Sequence, residues 1–336
     1  MRSGVLDTGL RIQPAACCHM PAATRQSSVF FPGNSYLDEN FSTMKRFLFS
    51  VVCILCVITG GAQSLPRHPD TLRVLAIGNS FSDDGTQYLP SLLESAGIRN
   101  VILGRLYIGG CSLERHCREY ADGSSAYRYD KSTANVWRTV SEHATLPDGL
   151  RDEPWDVVTM QETSGYSGIY DNIRTWLPVL IGIVRKEVPN PDAAIVWHGT
   201  WAYAVNSDHE RFPLYDRNQE KMYSGIQDCI SRLQEDFGIG VVIPCGKAVQ
   251  LARSTRLNNI GKVPPESKVY DLTRDGYHLN RQFGRYLAAC TWFEALMNPV
   301  FGISVKGNGC LLEDTEHRIP RRDARLCQKI AAGTCR

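Results

Sequence analysis

Five short, mostly apolar runs constrain this chain more than any other feature. They are Val74-Leu75-Ala76-Ile77, closed by Gly78; Val101 to Ile108; Asp156 to Met160; Ala194-Ile195-Val196-Trp197; and Val241-Val242-Ile243, ended by Pro244. A strand with one wet face alternates apolar and polar residues, whereas a continuous apolar run needs both faces covered. Between the runs lie stretches with apolar residues at helical spacing. Asp83 to Ala96 carries Tyr88, Leu92 and Leu93; Trp176 to Val188 carries Leu177, Leu180, Ile181 and Val184. Asn218 to Phe237 and Arg281 to Met297 continue the pattern. Strand and helix in alternation predict an α/β fold whose parallel five-stranded sheet is covered on both sides, within one domain over 70–300. Residues 115–154 break the pattern: they are rich in Tyr, Ser, Arg and Asp, with no clear period. A long insertion of that kind either faces a ligand or decorates the surface.

The N-terminus reads differently. Met44-Lys45-Arg46 opens an almost wholly apolar segment, Phe47 to Thr59, followed by Gly60-Gly61-Ala62. A positive start, an apolar stretch of about 7–15 residues and a small-residue exit describe a signal peptide, here 44–62. The stretch is short of the about 20 apolar residues that a membrane span needs, so no stable membrane insertion is expected after cleavage. Residues 1–43 precede a complete signal and carry turn-formers (Pro21, Pro32, Gly33, Asn34) without periodicity. They are read as an extension ahead of the true start at Met44. Export to the periplasm or the extracellular space follows as the expectation.

Eight cysteines remain beyond the signal: 111, 117, 229, 245, 290, 310, 327 and 335. An exported protein permits disulfides, and Cys310, Cys327 and Cys335 in the tail, 301–336, are the better candidates. Cys245 and Cys290 sit in apolar surroundings and read as small core residues. No spacing suggests a metal site. The formal net charge is +2 and the basic residues are scattered, the densest run being RRxxR at Arg321, so nucleic acid is not an expected partner. Neither a P-loop nor a complete G-x-G-x-x-G occurs, so no cofactor is expected.

In an open parallel sheet, ligands bind beyond the carboxyl ends of the strands. Directly after the first run stands Gly78-Asn79-Ser80-Phe81-Ser82-Asp83-Asp84-Gly85. A serine there is usually a helix cap, but Ser82, Asp83 and Asp84 are the better caps, which frees Ser80 to act as a nucleophile. A hydroxyl is a weak nucleophile until a base takes its proton. Arg274-Asp275-Gly276-Tyr277-His278-Leu279-Asn280 supplies a base and a carboxylate three residues apart, so one short turn can present both. No G-x-S-x-G occurs, and this spacing differs from that of an α/β-hydrolase elbow.

These residues resemble a family. Gly78-Asn79-Ser80-Phe81 is similar to the opening block of the GDSL/SGNH hydrolases, with Asn79 where the commoner pattern has Asp, and Asp275 to Leu279 resembles their closing D-x-x-H block. The combination resembles an uncharacterised, domain-of-unknown-function bacterial branch of that superfamily. The resemblance spans roughly 72–300 and implies a three-layer α/β/α sandwich like flavodoxin. It also implies Ser80 as nucleophile, with His278 and Asp275 as its activating pair. The oxyanion hole is then expected from the Ser80 amide, from Gly110 (or Gly109) in Gly109-Gly110-Cys111-Ser112, and from Gln161, which stands where the family has Asn.

Glu162 in the same loop, and His198 and Trp201 after the fourth run, are the candidate substrate-binding residues. The expected activity is cleavage of a short acyl, such as acetyl, ester on a carbohydrate. The alternatives are a lipase or lysophospholipase-type esterase, and a non-catalytic carbohydrate-binding protein on the same fold.

Overall fold

The structure, a computed structural model, describes residues 64–264, 266–313 and 315–335. The readings of 1–43 as an extension and 44–62 as a signal peptide lie outside these residues. Among the described residues no helix is long and apolar enough to cross a membrane.

The five apolar runs form five parallel strands: β1 (Leu72–Gly78), β2 (Val101–Tyr107), β5 (Val157–Met160), β6 (Ala194–His198) and β7 (Val241–Ile243). Strand side chains alternate between faces, and the two apolar clusters of the core divide accordingly. Leu72, Val74 and Ala76 of β1 join one cluster with Ala194 and Val196 of β6. Leu75 and Ile77 join the other with Ile195 and Trp197. Helix α8 (Phe283–Phe301) covers the first face through Leu287, Trp292 and Leu296. Helix α5 (Tyr170–Glu187) covers the second through Leu177, Leu180 and Val184. Each fully buried leucine on these faces contributes about 1.5–3 kcal/mol. The layers are therefore α/β/α, as the runs predict.

The sheet itself is larger than predicted. It has seven strands in the order β4-β3-β2-β1-β5-β6-β7. The extra pair, β3 (Tyr127–Ser132) and β4 (Trp137–Ala144), is an antiparallel hairpin on the edge of β2, formed by the segment that reads as an aperiodic insertion. Most of β4 is solvent-exposed on both faces, so it carries no apolar alternation to detect. The insertion also holds α3 (Leu113–Ala121) and α4 (Leu146–Arg151).

The predicted helix over Asp83–Ala96 is two helices, α1 (Ser80–Thr86) and α2 (Leu89–Ser95). Pro90 lies in the first turn of α2, where its missing N–H costs nothing, and it cannot continue the preceding helix. Helix α6 (Gln219–Phe237) is capped by Asn218, whose side chain accepts from the Lys221 amide at 2.9 Å, and α7 (Cys245–Ala252) follows β7.

The tail set apart at 301 is part of the same fold. Its helix α9 (Arg321–Thr334) packs on α8 and puts Ala324, Cys327, Ala331 and Ala332 into the first core cluster. Cys327 and Cys335 are free thiols, not the expected disulfide partners. The Cys327 thiol faces the Phe283 carbonyl, and the Cys335 thiol donates to the Thr291 carbonyl. Apolar packing holds this end of the chain without crosslinks among them.

Candidate active site

The turn after β1 is built by Asn79. Its backbone is extended, and its Oδ1 accepts from the Phe81 amide at 3.0 Å, capping α1. Asn79, not Ser82, Asp83 or Asp84, is thus the cap, and Ser80 is the first helical residue with its hydroxyl uncommitted to capping. Ser82 donates back to the Asn79 carbonyl at 2.8 Å. The turn is tight enough that a Cβ on Gly78 would lie 2.6 Å from Ser82 Oγ, so only glycine fits there.

The other half of the site comes from the loop before α8. Residues 272–280 fold back on themselves: Thr273 bridges Leu279, and the amides of Arg274 and Asn280 donate to the carbonyls of His278 and Leu272. Gly276 sits at the loop tip with φ +86°, where a Cβ would also meet the Ser207 backbone at 2.8 Å. The turn presents Asp275 and His278 together. His278 Nδ1 lies 2.7 Å from Asp275 Oδ2, and Asp275 Oδ1 accepts from the His278 and Tyr277 amides at 2.7 and 3.2 Å. His278 Nε2 lies 2.8 Å from Ser80 Oγ. Partial burial pushes the Asp275 carboxyl up, but the His278 ring and the two amides outweigh it and hold the group below its ordinary range.

Asp84 ties the two halves together. It is buried on the inner side of α1 and accepts from the Leu279 amide at 2.8 Å, Arg274 Nη1 at 3.0 Å and Arg285 Nε at 2.7 Å. One carboxylate thereby fixes the helix that begins at Ser80 against the loop that holds His278. Sequence reading placed Asp84 as a cap and missed this role; the basic residues flanking the D-x-x-H block at 274 and 285 were the available signal. Phe81 stacks on Trp201 with ring centroids 4.2 Å apart, and Trp201 Nε1 donates to the Tyr277 carbonyl at 2.7 Å.

Behind the serine turn lies a buried polar chain. Gln161 Nε2 donates to Asn79 Oδ1 at 2.8 Å, Asn79 Nδ2 to the Cys111 carbonyl at 2.9 Å, and His198 Nδ1 pairs with Gln161 Oε1 at 2.9 Å. His198 can only donate to that oxygen, which assigns its proton to Nδ1. Complete burial drives its pKa down to about 3, so the ring stays neutral.

The structure corrects the three residues expected to bind substrate. Glu162, His198 and Trp201 are each at most 1% exposed and line no open crevice. Glu162 Oε1 accepts from the Leu113 and Thr163 amides at 3.1 and 2.6 Å, joining the start of α3 to the loop after β5. Burial raises its pKa to about 7 against those two amides. His198 orients Gln161, and Trp201 supports the Tyr277 backbone. All three are internal supports. Gly109 and Gly110, by contrast, form an exposed turn after β2, with Gly110 at φ +62°. Among the described residues nothing accepts from the Gly110 amide. The described residues hold no His, Cys, Asp and Glu grouping suited to a metal ion.

The profile of the family described as a domain of unknown function, DUF4886, matches residues 73–331. The chain belongs to the DUF4886 family. A solved DUF4886 family protein from Bacteroides uniformis ATCC 8492 is 39% identical over 79% of this chain and 94% of its own, with a TM-score of 0.68. This agrees with the resemblance to an uncharacterised, domain-of-unknown-function branch. More distant solved structures include a carbohydrate esterase family 3 protein from Talaromyces cellulolyticus, 12% identical over 70% of this chain and 100% of its own, TM-score 0.43. Axe2, an acetylxylan esterase from Geobacillus stearothermophilus, is 10% identical over 68% and 96%, with a TM-score of 0.43. No curated protein matches this DUF4886 chain.

Proposed function

We propose that this protein is a serine esterase that cleaves a short acyl ester through an acyl-enzyme. The observation that carries the reading is the continuous hydrogen-bonded line from Ser80 Oγ through His278 to Asp275 Oδ2, at 2.8 and 2.7 Å. His278 Nε2 takes the Ser80 proton as Oγ bonds to the acyl carbon, and Asp275 stabilises the imidazolium that forms. The carbonyl oxygen becomes an oxyanion that meets the Ser80 and Gly110 amides. Gln161, which gives one amide hydrogen to Asn79, offers the second. Collapse breaks the ester C–O bond, and the leaving alcohol takes the proton from His278. Water then repeats the sequence and releases the acid and Ser80.

The leaving group in this reading is a carbohydrate hydroxyl. The rim beside His278 supports it: Tyr277, His209 and Tyr166 are half-buried aromatics with polar edges, suited to hydroxylated rings more than to an aliphatic tail. The Met44–Ala62 sequence pattern supports export of such an enzyme.

Turnover of p-nitrophenyl acetate and labelling by a fluorophosphonate probe test the chemistry. Ser80→Ala should abolish labelling and lower kcat by roughly 10³-fold or more, and His278→Ala should do nearly as much. Near-parental turnover by Ser80→Ala ends the esterase reading. A wild-type chain that is neither labelled nor active would instead be a binding protein on this fold.

A further inference from the structure

The arginines around the site are not equivalent. Arg274 and Arg285 hydrogen-bond to Asp84, and Arg128 to Asp83 and Asp130. Arg211 has no such partner. Among the described residues its only carboxylate within ion-pair distance is Glu210, at 3.8 Å and itself 80% exposed. Buried Glu162, in the loop on which Arg211 rests, feels its charge without an ion pair, and its Oε1 is committed to two amides.

Arg211 is nonetheless held in place. Its guanidinium lies over the Tyr166 ring, 4.6 Å from the centroid. Its aliphatic stem rests on Gly165, where an added Cβ would come within 2.7 Å of Arg211 Cβ. Its own amide donates to His209 Nδ1 at 3.1 Å. From there the rings lead to the reacting groups: His209 meets Tyr277 edge-on at 4.7 Å, and Tyr277 lies 4.4 Å from His278. Gly165 and Tyr166 belong to the loop that begins with Gln161 at the end of β5. The cation therefore stands on the same rim as His278, half-exposed, with no hydrogen-bonded acceptor on its forked donors among the described residues. A guanidinium stacked on an aromatic ring is pre-organised to meet a planar anion in two parallel hydrogen bonds.

We propose that Arg211 forms a subsite for a carboxylate carried by the substrate. This rests on the esterase reading and refines it: the ester cleaved belongs to an acidic molecule, with the carboxylate either on a sugar ring or on the acyl group. A single guanidinium with one fork matches one carboxylate.

Calorimetric titration of Ser80→Ala protein isolates binding from turnover, so failure of the esterase chemistry and failure of the subsite are read separately. Trigalacturonate and succinate are compared with neutral xylotriose. At least one acid should bind about tenfold or more tightly than xylotriose, and added salt should weaken it. A preference for trigalacturonate puts the carboxylate on the sugar; a preference for succinate puts it on the acyl group. Adding Arg211→Met should erase the preference, and Arg211→Lys, which keeps charge and stem, should restore part of it and serves should the Met variant fail to fold. No preference for either acid, including no binding at all, overturns the proposal. So does a preference that survives in Arg211→Met.

Discussion

The two faces of the Ser80 turn carry a histidine each, and the two rings are set up in opposite ways. In front, His278 is half-buried, hydrogen-bonded at one nitrogen to a carboxylate and at the other to the serine hydroxyl. Behind, His198 is buried, pairs with the neutral amide of Gln161, and leaves Nε2 without a partner among the described residues. A ring that must gain and lose a proton needs an anion beside it and access to solvent. A ring that only orients an amide is best kept neutral, which burial ensures. The same residue type is therefore placed to act as an acid–base group in the proposed reaction on one side of the turn, and is a fixed hydrogen-bond donor on the other.

Three substitutions probe that division. The largest effect is expected behind the turn, at the point where the polar chain meets the reaction. Gln161→Leu keeps the volume and removes the amide, so kcat for p-nitrophenyl acetate should fall roughly 10²–10³-fold with little change in KM. A loss below about threefold would confine Gln161 to supporting Asn79. In front, Asp84→Asn retains an oxygen for the Leu279 amide but releases Arg274 and Arg285. The loop should shift against α1, lowering kcat about 10- to 100-fold at unchanged KM while the protein still melts cooperatively. Equal losses in binding and turnover would mean general loosening instead.

The smallest effect is on stability. Glu162 holds its proton up to about pH 7 when folded, against an ordinary value of 4.5. The folded state thus binds more protons than the unfolded one between those values. The stability that this group contributes is fully present below about 4.5, falls as pH rises towards 7, and then levels. Glu162→Gln should remove this decline, about 3 kcal/mol at pH 8 relative to parent, seen as a flatter dependence of Tm on pH. A parallel pH dependence in both proteins would show that the group is ionised without penalty.

Legibility of the sequence follows the same physics. The parallel strands could be read because both their faces are buried, so their residues are mostly apolar, with few interruptions such as Arg73, Arg105 and Thr159. The β3–β4 hairpin could not: β4 is an edge strand open to water on both sides with no pattern to show, and β3 is mostly buried but carries Arg128, Asp130 and Lys131 in place of an apolar run. Ser80, Asp275 and His278, which the structure brings together, stood out through strand-end position and close spacing. Asp84 and Arg211 did not, since a charged residue near a motif is ordinary and only tertiary packing reveals which partner it has or lacks. Glu162, His198 and Trp201 were misread for a related reason. A strand end points towards the crevice, but side chains there can equally turn inwards and become scaffolding.

The hydrogen bond from Ser80 to His278 joins residues 198 positions apart, and the Asp84 clamp bridges the same gap. The proposed nucleophile and its proposed base are therefore made at opposite ends of synthesis. A nascent chain, or one cut short before the last loop, has a complete serine turn and nothing to activate it. Helix α8, which follows that loop and shares the Asp84 clamp through Arg285, is in turn covered by α9, so the proposed activity should emerge only after the entire domain has left the ribosome and closed. If the proposed esterase activity holds, turnover is then a direct reporter of finished folding, and truncations from the C-terminal end should silence it before they unravel the sheet.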